Sequence, residues 1–525
     1  MLKTGLGILL LGMHFFLFNP SITGSNLLVH TGNTFEIGQW DRFEASIKNA
    51  KDYLDPNRDV SLDVTYERPD GRKVKFWGFY DGGRTWKIRF MPDRLGTWKY
   101  RAVFSDGSRE TEGTFECIRS DIPGMISVEQ TNPIWFGYKG GGHVLVRSFH
   151  VGDRFFAENW PVSKRRVFLD WFQKQGYNMV SIASHYLNRD AKGRGRGWRT
   201  PDLWPLNAAE YKKMEAILDD LAARKIMVYP FAGFFGQSSD FPTEHPEQIR
   251  YIKYTLARLG PYWNVLLNIA GPEPMIKADA FQNAMTAADI NRLGSEIKEL
   301  DIFGHLVSIH NPSGDDPFKD EDWLSFVTLQ GWKGTDFSGI NKALLKNHHR
   351  AKPLYAQEVF WPGNKYHNAK SYDNIRKKAF VVIFSGAAIN YADMDGNSSS
   401  GFSGSMEMSD KIQARHDIVK KVWDFFETIP FYRMSPNQSI VDNGFCLAEA
   451  GKRYLVYLID GGTVNVDLET GQYDVTWINA QNTSNRRHTG ITNDGNKFSA
   501  PQDGEDWLLF LTATDMRGSG SLNSR

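Results

Sequence analysis

The sequence predicts a multidomain chain: a (β/α)8 barrel flanked on each side by a β-sandwich. Three observations predict it. Both ends of the 525-residue chain are built of short alternating runs separated by turn residues, the pattern of β-sandwiches. The middle alternates apolar runs with amphipathic helical segments, which is how parallel strands with helical crossovers read. No Gly-x-Gly-x-x-Gly follows a strand to open a helix, so about 300 residues of such units fit a barrel better than an open dinucleotide-binding sheet.

The first 24 residues read as an export signal. Lys3 is followed by the apolar run Leu6 to Phe18 and by small residues from Ser21 to Ser25. That run is too short to span a bilayer. The mature chain is therefore expected to be secreted or periplasmic, without membrane insertion. From 25 to 125, strands are expected at Phe35 to Ile37, Ser61 to Tyr66, Lys73 to Phe79, Thr85 to Phe90, Trp98 to Phe104 and Gly113 to Cys117. Pro69-Asp70-Gly71 makes a turn, since Pro presets φ and Gly admits positive φ.

The barrel is expected over 126–430. Its strands are read at Val144 to Ser148, Met179 to Ala183, Met227 to Phe231, Val265 to Ile269, Leu306 to Ile309, Phe326 to Leu329, Leu354 to Gln357 and Val381 to Ile389. Helices are read at Ala208 to Arg224, Glu247 to Leu259, Ala287 to Leu300 and Tyr372 to Phe380, with Asp410 to Phe426 closing the ring. From 437 to 515 the pattern returns to strands, at Arg453 to Leu458, Thr463 to Leu468, Gly471 to Trp477 and Trp507 to Leu511.

Composition excludes several classes. A net charge of +1 exerts no broad pull toward nucleic acid or an anionic membrane. Two cysteines, Cys117 and Cys446, make neither a disulfide framework nor a zinc site. His-Glu-x-x-His, Gly-x-Ser-x-Gly and phosphate-loop motifs are all missing. No metal or cofactor is implied. Aromatics reach 14% with 16 Trp, which suits both large cores and the stacking of sugar rings.

Barrel chemistry sits at the C-terminal ends of the strands. Those ends carry His185-Tyr186 after strand two, Asn268 and Glu273 at strand four, and His310-Asn311 at strand five. They also carry Gln330 and Trp332 at strand six, Glu358 and Trp361 at strand seven, and Tyr391 and Asp393 at strand eight. Two carboxylates ringed by aromatic and hydrogen-bonding side chains suit glycoside cleavage. One protonates the leaving oxygen, while the other attacks or stabilises an oxocarbenium-like centre. Burial and the neighbouring carboxylate keep a proton on the acid. Trp332 and Trp361 are stacking platforms or caps on the barrel core. The Ser/Gly-rich stretch Asn397 to Ser405 is a loop over the site or a linker, and His348-His349 is expected to be solvated.

The stretches Phe76-Trp77-Gly78-Phe79-Tyr80-Asp81-Gly82, Trp86-Lys87-Ile88-Arg89-Phe90 and Gly96-Thr97-Trp98-Lys99-Tyr100 resemble the DUF5060 domain found ahead of glycosidase-like barrels. The barrel resembles clan A glycoside hydrolases of the apiosidase-like, DUF4038-related group. That resemblance implies Glu273 as acid/base and Glu358 as nucleophile. The group's Asn directly before the strand-four Glu is split here, four residues separating Asn268 from Glu273, and Asp393 is an alternative acid. Tyr454-Leu455-Val456-Tyr457, Gly471-Gln472-Tyr473, Trp477-Ile478-Asn479 and Trp507-Leu508-Leu509 resemble the module labelled a collagen-binding domain in such proteins. A retaining glycosidase acting on plant or algal polysaccharides or their oligosaccharides is the leading expectation. A carbohydrate-binding protein with a silent barrel, and an adhesin binding through its C-terminal module, are the alternatives.

Overall fold

The computed structural model describes residues 35–151, 162–182, 206–230, 233–235, 241–242, 244–271, 274–275, 285–310, 315–330, 336–348, 350–360 (backbone only from 358), 371–392, 410–492 and 495–516. The N-terminal unit is two layered. One sheet orders Phe35–Gly38, Glu110–Ile118, Gly96–Phe104, Leu62–Glu67 and Lys73–Trp77. The other orders Phe43–Lys48, Thr85–Phe90 and Phe79–Gly82. The single run expected from Lys73 to Phe79 is thus two strands in two sheets. The break is at Gly78, where a Cβ would lie 2.6 Å from Leu62 and 2.7 Å from the Lys87 carbonyl. Only a residue without one lets the backbone cross so close. Phe43–Lys48 escaped the sequence reading, although Phe43 and Ile47 are its two buried positions, four residues apart.

The central unit has eight parallel strands: β1 (Arg147–Val151), β2 (Met179–Ile182), β3 (Met227–Tyr229), β4 (Leu267–Asn268), β5 (Val307–Ser308), β6 (Val327–Leu329), β7 (Leu354–Phe360) and β8 (Ala387–Tyr391). Six form one sheet in the order β3-β2-β1-β8-β7-β6, and β4 pairs with β5. Parallel bridges Val228↔Val265 and His310↔Thr328 join the two groups. This is a TIM-like arrangement. Helices α1 (Val162–Lys174), α2 (Ala208–Ala223), α3 (His245–Leu259), α4 (Ala287–Leu300), α5 (Phe337–Lys346), α6 (Tyr372–Phe384) and α7 (Asp410–Glu427) connect and close the units. Among the described residues no helix lies between β5 and β6.

Two strand expectations are corrected. Val144 belongs to a small antiparallel sheet of Ile126–Val128, Phe136–Tyr138 and His143–Val144 that precedes β1. Ile126, Phe136 and Val144 pack with Met179, Met227, Leu266 and Phe326, at the N-terminal ends of the barrel strands. This sheet plugs the end opposite the candidate site, so β1 begins only at Arg147. Val381 to Phe384 is the last turn of α6, not strand. The apolar run is continuous because this helix is buried between barrel and C-terminal unit, and Gly386 at φ 72° turns the chain into β8. A buried helix and a buried strand look alike in such a run.

The C-terminal unit is a six-stranded sheet with a two-stranded sheet, Thr463–Asn465 and Lys497–Ser499, against it. Arg453–Leu458 is buried at every position, so both faces of the larger sheet are covered. Val456 faces Val464 and Phe498 on one side, while Leu455 and Tyr457 join the barrel core. The joint is bolted by Arg376 of α6, which donates from Nε and Nη2 to the two oxygens of Asp506 at 2.9 and 2.8 Å. Tyr457 OH donates to the same carboxylate at 2.9 Å. Asp506→Asn leaves a fork half-matched and should lower stability by about 1–3 kcal/mol. Thermal melting checks this, and an unchanged melting temperature would mean that the fork contributes nothing.

Cys117 and Cys446 are free and buried in different units. His348, expected in solvent, is half-buried, with Nε2 2.6 Å from the Ser385 carbonyl. The turn at Gly386 brings the α6 C-terminus against it, which the charged local sequence conceals. No helix among the described residues is long and apolar enough to cross a membrane.

Candidate active site

Parallel barrel strands are ordinarily near-continuous apolar runs. Here four of them place polar residues at alternate positions: Ser148 and His150 in β1, Ser308 and His310 at β5, Thr328 and Gln330 at β6, Tyr355 and Gln357 in β7. The intervening Phe149, Val151, Ile309, Leu329 and Ala356 pack outward on the helices. The period of two therefore directs the polar set to the face of the parallel strands turned away from the helices.

The interior polar residues form two hydrogen-bonded groups. On the β7-β8-β1-β2 side, Ser148 Oγ lies 2.6 Å from Tyr355 OH and donates to Asn390 Oδ1 at 3.1 Å. Gln357 Nε2 lies 3.2 Å from both Ser181 Oγ and His150 Nδ1. On the β3-to-β6 side, Tyr229 OH lies 3.0 Å from Thr328 Oγ1 and donates to Asn268 Oδ1 at 3.4 Å. Ser308 Oγ is 2.8 Å from Thr328 Oγ1. Tyr229 and Tyr355 meet edge to face, with ring centroids 5.0 Å apart, and tie the groups together. Each group includes one of the strands expected to bring in a carboxylate, β7 for Glu358 and β4 for Glu273.

The two imidazoles are uncharged. Burial drives His150 down to about 3. Burial, then the repulsion that two charged imidazoles would exert on each other, takes His310 to about 3 as well, against a hydrogen bond with Gln330. Buried amides, hydroxyls and neutral imidazoles suit the recognition of hydroxyl groups. Among the described residues, no group of three or more His, Cys, Asp or Glu is placed to hold a metal ion.

Backbone irregularities occur at both candidate carboxylate strands. Ala270, two residues beyond Asn268, is fully buried at φ 56°. A non-glycine residue in the left-handed region is held there at a cost of about 1–2 kcal/mol. Its N–H donates to the Phe235 carbonyl at 3.0 Å, clasping the end of β4 to the segment after β3. On β7, Ala356 pairs with Ile389 but Phe360 pairs with Tyr391, so the register shifts across the stretch that holds Glu358. Strict alternation would put Glu358 on the face opposite Gln357; irregularities of this kind re-aim side chains beside active sites.

Of the residues read from the sequence, Asn268, His310 and Gln330 lie in the interior polar set. Tyr391 does not. It follows the inward Asn390 by one residue and so faces the helices, its ring 4.8 Å from His416 of α7. Asn390 takes the interior place. His185, Tyr186, Glu273, Asn311, Trp332, Trp361, Asp393 and the Asn397 to Ser405 stretch lie outside the described residues, as does the Glu358 side chain. His150, Ser181 and Gln357 were missed. The misplaced start of β1 pushed His150 out of the strand, though its i, i+2 spacing from Ser148 was visible. Arg147 is at the other end of β1 and pairs with Asp424 and Glu427.

Residues 36–105 match the domain of unknown function DUF5060, and residues 156–391 match the family described as apiosidase-like, catalytic domain. No curated protein matches the chain. Among solved structures, a presumptive glycoside hydrolase from Bacteroides vulgatus ATCC 8482 superposes with a TM-score of 0.70 at 19% identity, covering 92% of this chain and 100% of its own. A glycoside hydrolase of family 5 from the same organism gives a TM-score of 0.56 at 16% identity, covering 76% of this chain and 95% of its own. The C-terminal unit is matched by neither family. The chain carries a DUF5060 domain followed by an apiosidase-like catalytic domain, and by that catalytic domain it is a glycoside hydrolase.

Proposed function

We propose that the chain is an exported, retaining O-glycosidase acting on a plant or algal polysaccharide or its oligosaccharides. Glu358 is the nucleophile and Glu273 the acid/base. The observation that carries this reading is the neutral, hydrogen-bonding layer at the C-terminal ends of the parallel strands, with β7 irregular where it holds Glu358. The parallel bridges between the two strand groups support a ring closed as a (β/α)8 barrel over 126–430, between a sandwich at 25–125 and another at 437–515. Asn268, His310 and Gln330, joined by His150 and Asn390, bind sugar hydroxyls from the floor. His185, Tyr186, Asn311, Trp332, Trp361 and Asp393 complete the mouth, the two Trp as stacking platforms.

The test is sugar release by the mature protein from neutral and anionic polysaccharides and from a panel of 4-nitrophenyl glycosides. Apiosides belong in the panel because the matching family is named for them. Cleavage with the product's first-formed anomer equal to the substrate's is expected, since two successive displacements at the anomeric carbon restore its configuration. Inverted product would reassign Glu358 from nucleophile to base. Binding without cleavage across the panel would overturn the enzymatic reading.

A further inference from the structure

Gln357 is fully buried beside Glu358 and reaches across the barrel interior rather than along its own strand. Both ends of its amide lie 3.2 Å from Ser181 Oγ, and its Nε2 is 3.2 Å from His150 Nδ1. In the strand order β7-β8-β1-β2 these partners stand two and three strands away. Neighbouring strands are already joined by their backbones, so a side chain bridging non-adjacent strands adds a constraint the ladder does not supply. It does so where the ladder is weakest, because the β7-to-β8 register shifts between Ala356 and Phe360.

We propose that Gln357 is a positioning residue for Glu358: its bonds to Ser181 and His150 fix the backbone of β7 through the irregular step that carries the nucleophile. This rests on the assignment of Glu358 made above. The partners suit the task chemically. As an acceptor for the amide N–H, His150 Nδ1 must carry no proton, and burial keeps the ring neutral. Ser181 both donates to and accepts from the amide, so either rotation of its hydroxyl is matched. A displacement of about 1 Å at a reacting group costs on the order of 10²-fold in rate, which is the effect such a brace would prevent.

The experiment compares wild type, Gln357→Leu, Gln357→Glu, Ser181→Ala and Glu358→Ala on the 4-nitrophenyl glycoside that wild type cleaves fastest. Gln357→Leu should lower kcat by roughly 10–100-fold with KM within about twofold, the signature of lost transition-state geometry rather than lost binding. Ser181→Ala, the milder change, should lower kcat less and in the same way. Gln357→Glu keeps the shape but sets a second carboxyl beside Glu358, so the acid limb of its kcat/KM profile should move to higher pH. That shift reports how near position 357 stands to the nucleophile, while the split between kcat and KM in Gln357→Leu reads the brace itself.

Wild-type kcat in Gln357→Leu, or a loss confined to KM, overturns the proposal. Activity in Glu358→Ala without added azide would instead sink the nucleophile assignment, whereas an inactive Glu358→Ala that azide rescues, beside a fully active Gln357→Leu, would sink this inference alone. Crystal structures of wild type and Gln357→Leu give a readout independent of turnover. A displaced 356–360 backbone is expected, and superposable backbones would overturn the brace.

Discussion

Glu358→Gln is expected to lower turnover on the order of 10³-fold or more and to leave thermal stability unchanged. An amide neither attacks an anomeric carbon nor supplies the negative charge that steadies an oxocarbenium-like transition state. Azide added to Glu358→Ala should restore product as a glycosyl azide with inverted anomeric configuration, since the small anion enters from the face vacated by the carboxylate. Glu273→Gln should behave differently. It should fail on poor leaving groups yet retain much of its rate on 2,4-dinitrophenyl glycosides, whose leaving oxygen needs no proton. Progress curves and product NMR read both. Cleavage by Glu358→Gln at the wild-type rate would remove Glu358 from the mechanism.

Arg258→Met should destabilise the joint between the N-terminal domain and the central unit by about 3–5 kcal/mol, because it takes a charged partner from each of two buried carboxylates. Arg258 is fully buried on α3, and its Nε donates to Glu215 Oε1 of α2 at 2.6 Å. Its Nη2 stands 3.0 Å from Asp81 Oδ1 of the N-terminal domain. Arg89 enters from that domain, donating to Glu215 at 3.0 Å and Glu44 at 2.6 Å. The two guanidinium carbons lie 4.9 and 4.5 Å from the centroid of the Phe79 ring. Burial alone would raise the Glu215 carboxyl, but Arg89 and Arg258 outweigh it and hold the group below its usual range. Removing one arginine takes away one of the two charges that oppose burial. Calorimetry should show the first transition moved down, and an Arg258→Met melt equal to wild type would mean that packing alone holds the joint.

The same network sets an acid limit. Burial opposes ionisation of Glu44, yet Arg89 and Lys87 take it from 4.5 to about 2. A carboxyl depressed in the folded state stabilises the fold above its unfolded value, and that stability is lost as pH falls through the folded value. The contribution of Glu44 is thus present above pH 4.5 and disappears between there and about 2. Glu44→Gln should flatten the stability profile over that window and leave its alkaline side as in wild type.

Most of the parallel strands and most helices were written in local pattern, as were the sheets on either side of them: alternation of two in those sheets, apolar runs and amphipathic turns between. Such features depend on residues near one another in sequence, so the sequence by itself determined them. It also pointed to strand ends as the place for Asn268, His310 and Gln330. Where an apolar run had two possible structures it was silent, as at Val381 to Phe384, which is helix because the C-terminal sheet covers it. It could not separate Asn390 from Tyr391, since a single step along a strand reverses the face and β8 is buried on both. Nor could it join Gln357 to Ser181 and His150, or Arg258 to Glu215 and Arg89. Those partners are distant in sequence, and their pairing is decided by the closing of the strands and the seating of one domain on another. Burial there gives a hydrogen bond or an ion pair a weight it lacks in water.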